Sequence, residues 1–181
     1  MNFGYSRINW LSGCASLISA ILNYGRRIIS KEVFSPRHFG YIVKKYGVTS
    51  TFGSVQNILQ MYRSPDFNPE DFSTVFDFFS GGERIPAGVR NFLLANLPKG
   101  SLKVGYGCTE VAVVVKFVKE IESKDNIAGG VIDNCQCKIL DFGSRRALGP
   151  NEVGEVLVKT EFSFSVSFVS DRISEISGES K

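Results

Sequence analysis

Val104-Gly105-Tyr106-Gly107-Cys108-Thr109-Glu110 combines a permissive backbone with groups that can handle phosphate and a divalent cation. Glycine lets a chain turn sharply or approach a ligand closely. Two glycines here flank Tyr106, whose ring offers a flat face for stacking. The Thr109 hydroxyl can bond a phosphate oxygen, and the Glu110 carboxylate can hold Mg²⁺. The same residues also read as a plain strand–turn–strand with Tyr106 in the core, because short motifs match by chance. A second glycine turn, Ser80-Gly81-Gly82-Glu83, closes the strand-like run Val75–Phe79, and a helix pattern follows it. In open α/β sheets, ligands bind at the carboxyl ends of strands.

The elements that must carry these turns follow from local signals. Leu11–Asn23 is small and apolar and is closed by Gly25, which predicts a buried helix with a glycine cap. Ile28-Ile29 reads as a short strand. Ser35-Pro36 starts a helix whose apolar face is Phe39, Ile42, Val43 and Tyr46, ended by Gly47. Val48–Phe52 is a strand, and Ser54 caps a helix with Val55, Ile58, Leu59 and Tyr62 on one face. Pro86 opens a helix with Val89, Phe92, Leu93 and Leu97 inward, and Pro98-Lys99-Gly100 turns the chain into the tyrosine motif. Alternating helix and strand predicts a mainly parallel sheet with helices on its faces. After Glu110 the pattern changes to apolar Val111–Val118, a polar loop Lys119–Gly130, and strands at Cys137–Asp141 and Glu155–Lys159. The alternation Phe162, Phe164, Val166, Phe168 extends this antiparallel β region, and an unpaired strand of that kind is prone to aggregate.

Composition narrows the function. The chain has 181 residues, enough for one domain with a real core, and its 43% hydrophobic and 22% charged residues are ordinary for a soluble globular protein. A net charge of +3, with basic residues scattered except for the pairs Arg26-Arg27 and Arg145-Arg146, argues against a nucleic-acid partner. His38 is the only histidine, so a multi-histidine metal site is excluded. Cys14, Cys108, Cys135 and Cys137 contain no Cys-x-x-Cys pair and read as buried free thiols in a reducing compartment. Cys135 and Cys137 are spaced to share one face of a strand. The apolar run Trp10–Leu22 is too short and too interrupted by serine to span a bilayer, and no secretory signal is visible at Met1.

The order of motifs resembles a known family. Gly81-Gly82, an amphipathic helix, a short strand and Gly105-Tyr106-Gly107-x-Thr109-Glu110 look like the adenylate-forming superfamily of acyl-CoA synthetases, 4-coumarate–CoA ligases and firefly luciferases. The runs Asn134–Asp141 and Ala147-Leu148-Gly149-Pro150-Asn151-Glu152-Val153-Gly154-Glu155-Val156 resemble its later segment, closest to the insect luciferase-like branch. The resemblance covers Asn9–Lys159. It implies that the partial, mainly parallel sheet flanked by helices in 1–118 is part of an AMP-binding domain; the residue pattern itself predicts an α/β fold with a smaller antiparallel region in 119–170 and a polar tail in 171–181. It implies ATP, Mg²⁺ and coenzyme A as cofactors, and a small carboxylic acid and a nucleotide as partners.

Carried over residue by residue, the resemblance places Gly81 and Gly82 against adenosine and stacks Tyr106 on adenine. Gly105 and Gly107 supply the turn, Thr109 contacts the α-phosphate, and Glu110 coordinates Mg²⁺; Thr109 and Glu110 are the expected catalytic pair. Trp10, Gly107 and Cys108 would line the acyl pocket, with Cys108 standing where relatives usually carry methionine or leucine. The reaction implied is carboxylate activation through an acyl-adenylate, followed by transfer to coenzyme A. Medium or long fatty acids and aryl-propenoates both fit. The family's Ser/Thr/Gly-rich phosphate loop, its ribose-binding aspartate and its catalytic lysine do not occur in these 181 residues. The expectation is therefore an internal fragment of the family's large N-terminal domain, truncated, alternatively spliced or mispredicted, and inactive alone; the alternative is a non-catalytic nucleotide- or partner-binding remnant. The location implied is intracellular, peroxisomal or cytoplasmic, and Gly178-Glu179-Ser180-Lys181 is not a peroxisomal Ser-Lys-Leu signal.

Overall fold

Three short parallel strands hold the first part of the chain, and their central row is buried. β1 (Asn2–Gly4), β2 (Ser50–Phe52) and β3 (Asp77–Gly81) pair in register with Phe3 opposite Thr51 and Thr51 opposite Phe78. All three residues are fully buried. The computed structural model describes residues 1–97, 100–116 and 129–161, which divide into two units at Lys103/Val104.

In the first unit the helices form where local chemistry caps them. Ser35 accepts a hydrogen bond from the His38 amide at 3.2 Å, Pro36 occupies the first turn, and α2 runs Pro36–Tyr46. Gly47 ends it at φ 60°, a left-handed conformation that glycine adopts without strain. Lys44 and Lys45 in the last turn complement the helix dipole. Ser54 and Asn57 form a reciprocal capping box at the start of α3 (Val55–Arg63): Ser54 Oγ accepts from the Asn57 amide at 3.2 Å, and Asn57 Oδ1 accepts from the Ser54 amide at 3.1 Å. Following Pro86, α4 (Ala87–Ala95) buries Val89 and Leu93, with Leu97 buried just beyond it.

The core of this unit is aromatic. Phe39 lies 6.0 Å from Phe3 and 5.4 Å from Phe72 between ring centroids, and Phe72 stacks 6.4 Å from Phe78. Phe67 links this cluster to Phe92 of α4 at 4.8 Å. Thr51 sits in the middle strand with its hydroxyl buried and without a hydrogen-bond partner, and the Ser80 hydroxyl is in the same position. A buried, unpaired hydroxyl lowers stability by about 1–3 kcal/mol. Thr51→Val keeps the shape and removes the hydroxyl, so it is expected to raise the unfolding midpoint, by about 1 kcal/mol in stability. A lower midpoint in thermal denaturation would show that the hydroxyl is satisfied after all.

Two local expectations are corrected. The first helix, α1 (Leu11–Leu22), is not buried: only Gly13 and Ala20 are, while Ile18, Ile21 and Leu22 are at least half exposed. Its small residues serve close approach instead, since a Cβ on Gly13 would lie 2.9 Å from the Ser6 carbonyl oxygen. Tyr24, not Gly25, takes the positive φ after the helix, at 50°. Ile28-Ile29 is not a strand; the only pairing there is an isolated bridge between Arg27 and Asn2, and Ile29 is exposed.

β4 (Ser101–Cys108) carries the chain from one unit into the other. In the second unit it pairs antiparallel with β5 (Ala112–Lys116), which pairs antiparallel with β6 (Gly130–Val131). β7 (Cys135–Leu140) and β8 (Glu155–Thr160) form a separate antiparallel pair, with Cys135 opposite Thr160 and Leu140 opposite Glu155. The link between them is built from the motif residues. Asp141 Oδ1 accepts from the Ser144 amide at 2.7 Å and the Gly143 amide at 3.1 Å, bonds that hold its carboxyl below the usual carboxylate range. Glu152 accepts from the Gly149 amide at 2.6 Å, and Arg145 pairs with Glu155. Gly154 is buried where a Cβ would meet the Leu148 side chain at 2.7 Å. The Gly154-Glu155 motif is thus explained by packing and an ion pair. The result is an α/β fold with a parallel sheet and helices, followed by antiparallel β structure. Phe162–Phe168 and the polar tail lie outside the described residues.

Candidate functional site

In the first unit, the glycine turn falls at the carboxyl end of β3. Gly81 is the last residue of the strand and Gly82 follows at φ 88°, with open space where a Cβ would stand. Any side chain at Gly82 would be strained by the backbone alone. Next to this end, the Gly53 amide donates to the Phe79 carbonyl at 3.0 Å, beyond the last residue of β2. Glu83, beyond the turn, accepts from Gln56 Nε2 at 3.4 Å. Trp10, expected in the acyl pocket, precedes α1 as its N-cap residue and is 66% exposed.

Lys103 was not singled out from sequence. Its Nζ lies 2.5 Å from Asp77 Oδ1 and 5.3 Å from the centroid of the Phe79 ring. The signal available was a lone lysine inside an otherwise apolar strand start, Leu102-Lys103-Val104.

In the second unit, the tyrosine motif lies on a β hairpin. Gly105, Tyr106, Gly107 and Cys108 are strand residues of β4, and Thr109–Val111 make the turn into β5. The expectation that Gly105 and Gly107 supply the turn is therefore corrected. Gly107 is needed for another reason. The register shifts between Tyr106, opposite Val115, and Gly107, opposite Val113. This bulge brings the two backbones so close that a Cβ on Gly107 would run into the Ala112 carbonyl, 2.9 Å from its carbon and from the Val113 Cα. Ala112 itself takes φ 57° at this crowding point. Gly105 is not constrained this way; a Cβ there would sit in ordinary contact, 3.6 Å from the Val115 carbonyl oxygen.

Beyond the strand, Thr109 is exposed and Glu110 half-exposed. The Cys108 thiol donates to the Glu110 carboxylate and holds its pKa below the ordinary value. The thiol moves the other way, raised first by lost solvation and then by the carboxylate. An ionised carboxylate beside a hydroxyl is a hard-oxygen donor set of the kind that takes Mg²⁺ together with phosphate oxygens. Glu110 and Thr109 fit that requirement. The pairing of Cys108 with Glu110 was missed in the sequence, although a spacing of two residues at a strand end puts both groups on one side.

None of the four cysteines is fully buried: Cys14 and Cys108 are exposed, Cys135 and Cys137 half-buried. The expectation of buried thiols fails because each stands on a solvent-facing helix position, a strand end or a two-stranded sheet. Among the described residues, no helix is long and apolar enough to cross a membrane.

The first unit has a parallel sheet with a glycine turn at the end of β3, and the second a Gly-Tyr-Gly strand running into a Thr-Glu turn, within an α/β fold. The chain belongs to the AMP-binding enzyme family, whose model matches residues 3–166. That match extends past both ends of the Asn9–Lys159 span suggested by the motifs. The chain is 26% identical over 151 residues to 4-coumarate–CoA ligase 3 of Oryza sativa subsp. japonica, covering 81% of this chain and 27% of that protein. In structure it is similar to the luciferase-like enzyme of the nonluminescent mealworm Zophobas morio, with a TM-score of 0.81 at 23% identity, covering 91% of this chain and 40% of that one. It is also similar to O-succinylbenzoate coenzyme A synthetase of Bacillus subtilis in complex with ATP and magnesium ion, with a TM-score of 0.74 at 18% identity, covering 91% and 34%. The chain spans about a quarter of the length of the curated relative from rice.

Proposed function

We propose that the chain forms part of an ATP-dependent, AMP-forming acyl-CoA synthetase-like ligase and carries its adenylate-binding motifs. The observation that supports this most is the strand-end setting of the motifs, inside the residues that match the family: Gly81-Gly82 closing β3, and Thr109-Glu110 closing β4. In this reading Gly81, Gly82, Gly105 and Gly107 let the backbone approach the nucleotide, and Tyr106 stacks on the adenine ring. Thr109 donates its hydroxyl to an α-phosphate oxygen. Glu110 holds Mg²⁺, which neutralises phosphate charge when bound. Trp10, Gly107 and Cys108 face the acyl group.

The reaction follows from that assignment. A substrate carboxylate attacks the α-phosphorus of ATP, pyrophosphate leaves, and the thiol of coenzyme A displaces AMP from the acyl-adenylate. The protein's part is to position groups and stabilise developing charge. Fatty-acid metabolism, in a peroxisome or in the cytoplasm, is the setting this reading implies. A non-catalytic nucleotide- or partner-binding remnant of that family is the second reading, favoured by the exposure of Trp10, which the first reading assigns to the acyl pocket.

Binding and turnover separate the readings. By calorimetry, the purified chain is expected to bind a stable acyl-adenylate mimic, with Tyr106→Ala weakening it about tenfold or more, the loss of one stacking contact. Glu110→Gln is expected to remove the Mg²⁺ dependence of ATP binding. Equal binding by both variants and the unchanged chain would reject the assignment of these residues. The chain alone is expected to form no detectable acyl-AMP; turnover without any other protein would overturn the remnant reading.

A further inference from the structure

We propose that Cys135 and Cys137 form a two-thiolate binding site for a soft monovalent cation, with Cu(I) as the ion that fits it. The two residues alternate with Gln136 on β7, so both side chains leave the same face of the strand. The ladder to β8 fixes them there: Cys135 is opposite Thr160 and Cys137 opposite Val158, within an unbroken run of paired residues. Both thiols are free and half-buried.

The geometry separates the possible chemistries. Residues two apart on a strand have Cα atoms about 6.6–6.8 Å apart, from a rise of 3.3–3.4 Å per residue. That is the outer limit for a disulfide, whose Cα atoms usually lie about 5.5–6 Å apart. A disulfide would therefore have to buckle β7 against its ladder. A bridging ion does not require this. A metal–thiolate bond is about 2.3 Å for zinc, so one ion between two sulfurs spans up to about 4.6 Å. Two side chains leaving the same face of one strand reach that span by rotation about their Cα–Cβ bonds. Thiolate ligands select soft ions, among them Cu(I). Zinc in a structural site takes four ligands. Among the described residues, no group of three or more histidine, cysteine or acidic side chains could hold a metal ion, so the pair has no further ligands of that kind. A d¹⁰ monovalent ion satisfied by two sulfurs matches what the strand offers.

Binding exchanges two S–H bonds for two metal–sulfur bonds and releases two protons to solvent. No electron is transferred. Thiolate ligands must lose their protons to bind, so the ion competes with protons and its affinity rises with pH.

The test is an anaerobic titration of the full chain with Cu(I) against a chromophoric Cu(I) chelator. One equivalent is expected to move to the unchanged protein. Cys135→Ser and Cys137→Ser are each expected to weaken binding at least tenfold, while Cys14→Ser changes nothing. A second measurement needs no variant: Cu(I) is expected to protect Cys135 and Cys137 together from iodoacetamide, read by peptide mass spectrometry. The proposal is overturned if Cu(I) protects neither cysteine, or if either single variant binds as tightly as the unchanged chain. It is also overturned if air converts the pair quantitatively to an intramolecular disulfide and Cu(I) does not bind.

Discussion

Gly107→Val is expected to unseat the β4–β5 hairpin, while Gly105→Ala two residues earlier is nearly silent. At Gly107 a new Cβ would meet backbone atoms of Ala112 and Val113, which cannot move aside as a side chain can. Overpacking of this kind lowers stability by about 1–3 kcal/mol or more. A β-branched residue adds a second methyl to the same crowded point. At Gly105 the Cβ meets only the Val115 carbonyl oxygen at 3.6 Å, and no positive φ constrains the residue. Hydrogen exchange at the β5 amides checks this directly. Protection is expected to fall in Gly107→Val and to persist in Gly105→Ala. Equal protection in both would mean that the bulge is not what the glycine serves.

Phe78→Ala is expected to produce the largest loss in the first unit, about 3–5 kcal/mol for a fully buried aromatic. Whole domains are stable by only about 5–15 kcal/mol, so much of the chain's stability rests on this ring. The same ring gives a sharper test. Gly53 lies against it, and a Cβ on Gly53 would sit 2.6 Å from Phe78 Cζ. Gly53→Ala alone is therefore expected to be destabilising, because the ring is fully buried and must shift within the core to make room. In the Phe78→Ala background the clash is gone, and the same substitution loses most of its effect. Chemical denaturation of the four proteins gives the coupling energy, expected to be at least about 1 kcal/mol for contacting residues. Additive effects would contradict the packing described here.

How much of this was legible in the sequence depended on whether the cause was local. The starts of α2 and α3 were, because Ser35-Pro36 and Ser54 act through their own backbone amides. The inner face of α4 was, because Val89, Leu93 and Leu97 repeat at helical spacing. The exposure of α1 was not, since small and apolar residues interrupted by Ser12, Ser16 and Ser19 carry no clear sign of which side meets solvent. The glycines of the tyrosine motif were read as turn formers because glycine permits turns. The constraint on Gly107 is the approach of β5, a contact that only pairing across the hairpin creates. Similarly, the strand-like run Val75–Phe79 was placed about two residues early. Phe76 and Asp77 both donate to the Thr49 carbonyl before regular pairing begins. The candidate residues themselves were legible by type and order, but the bond between Cys108 and Glu110 needed the strand end to bring them together.

Thermal unfolding of the purified chain, with and without Mg·ATP and a stable acyl-adenylate mimic, tests the central claim most directly. A ligand that binds only the folded state raises the midpoint, by about 2.7 kcal/mol in stability at a hundred times its dissociation constant. The account predicts one cooperative transition that moves upward with the mimic, and less so with ATP when Mg²⁺ is withheld. A cooperative transition blind to both ligands would contradict it: the chain would then have the family's fold without its nucleotide chemistry.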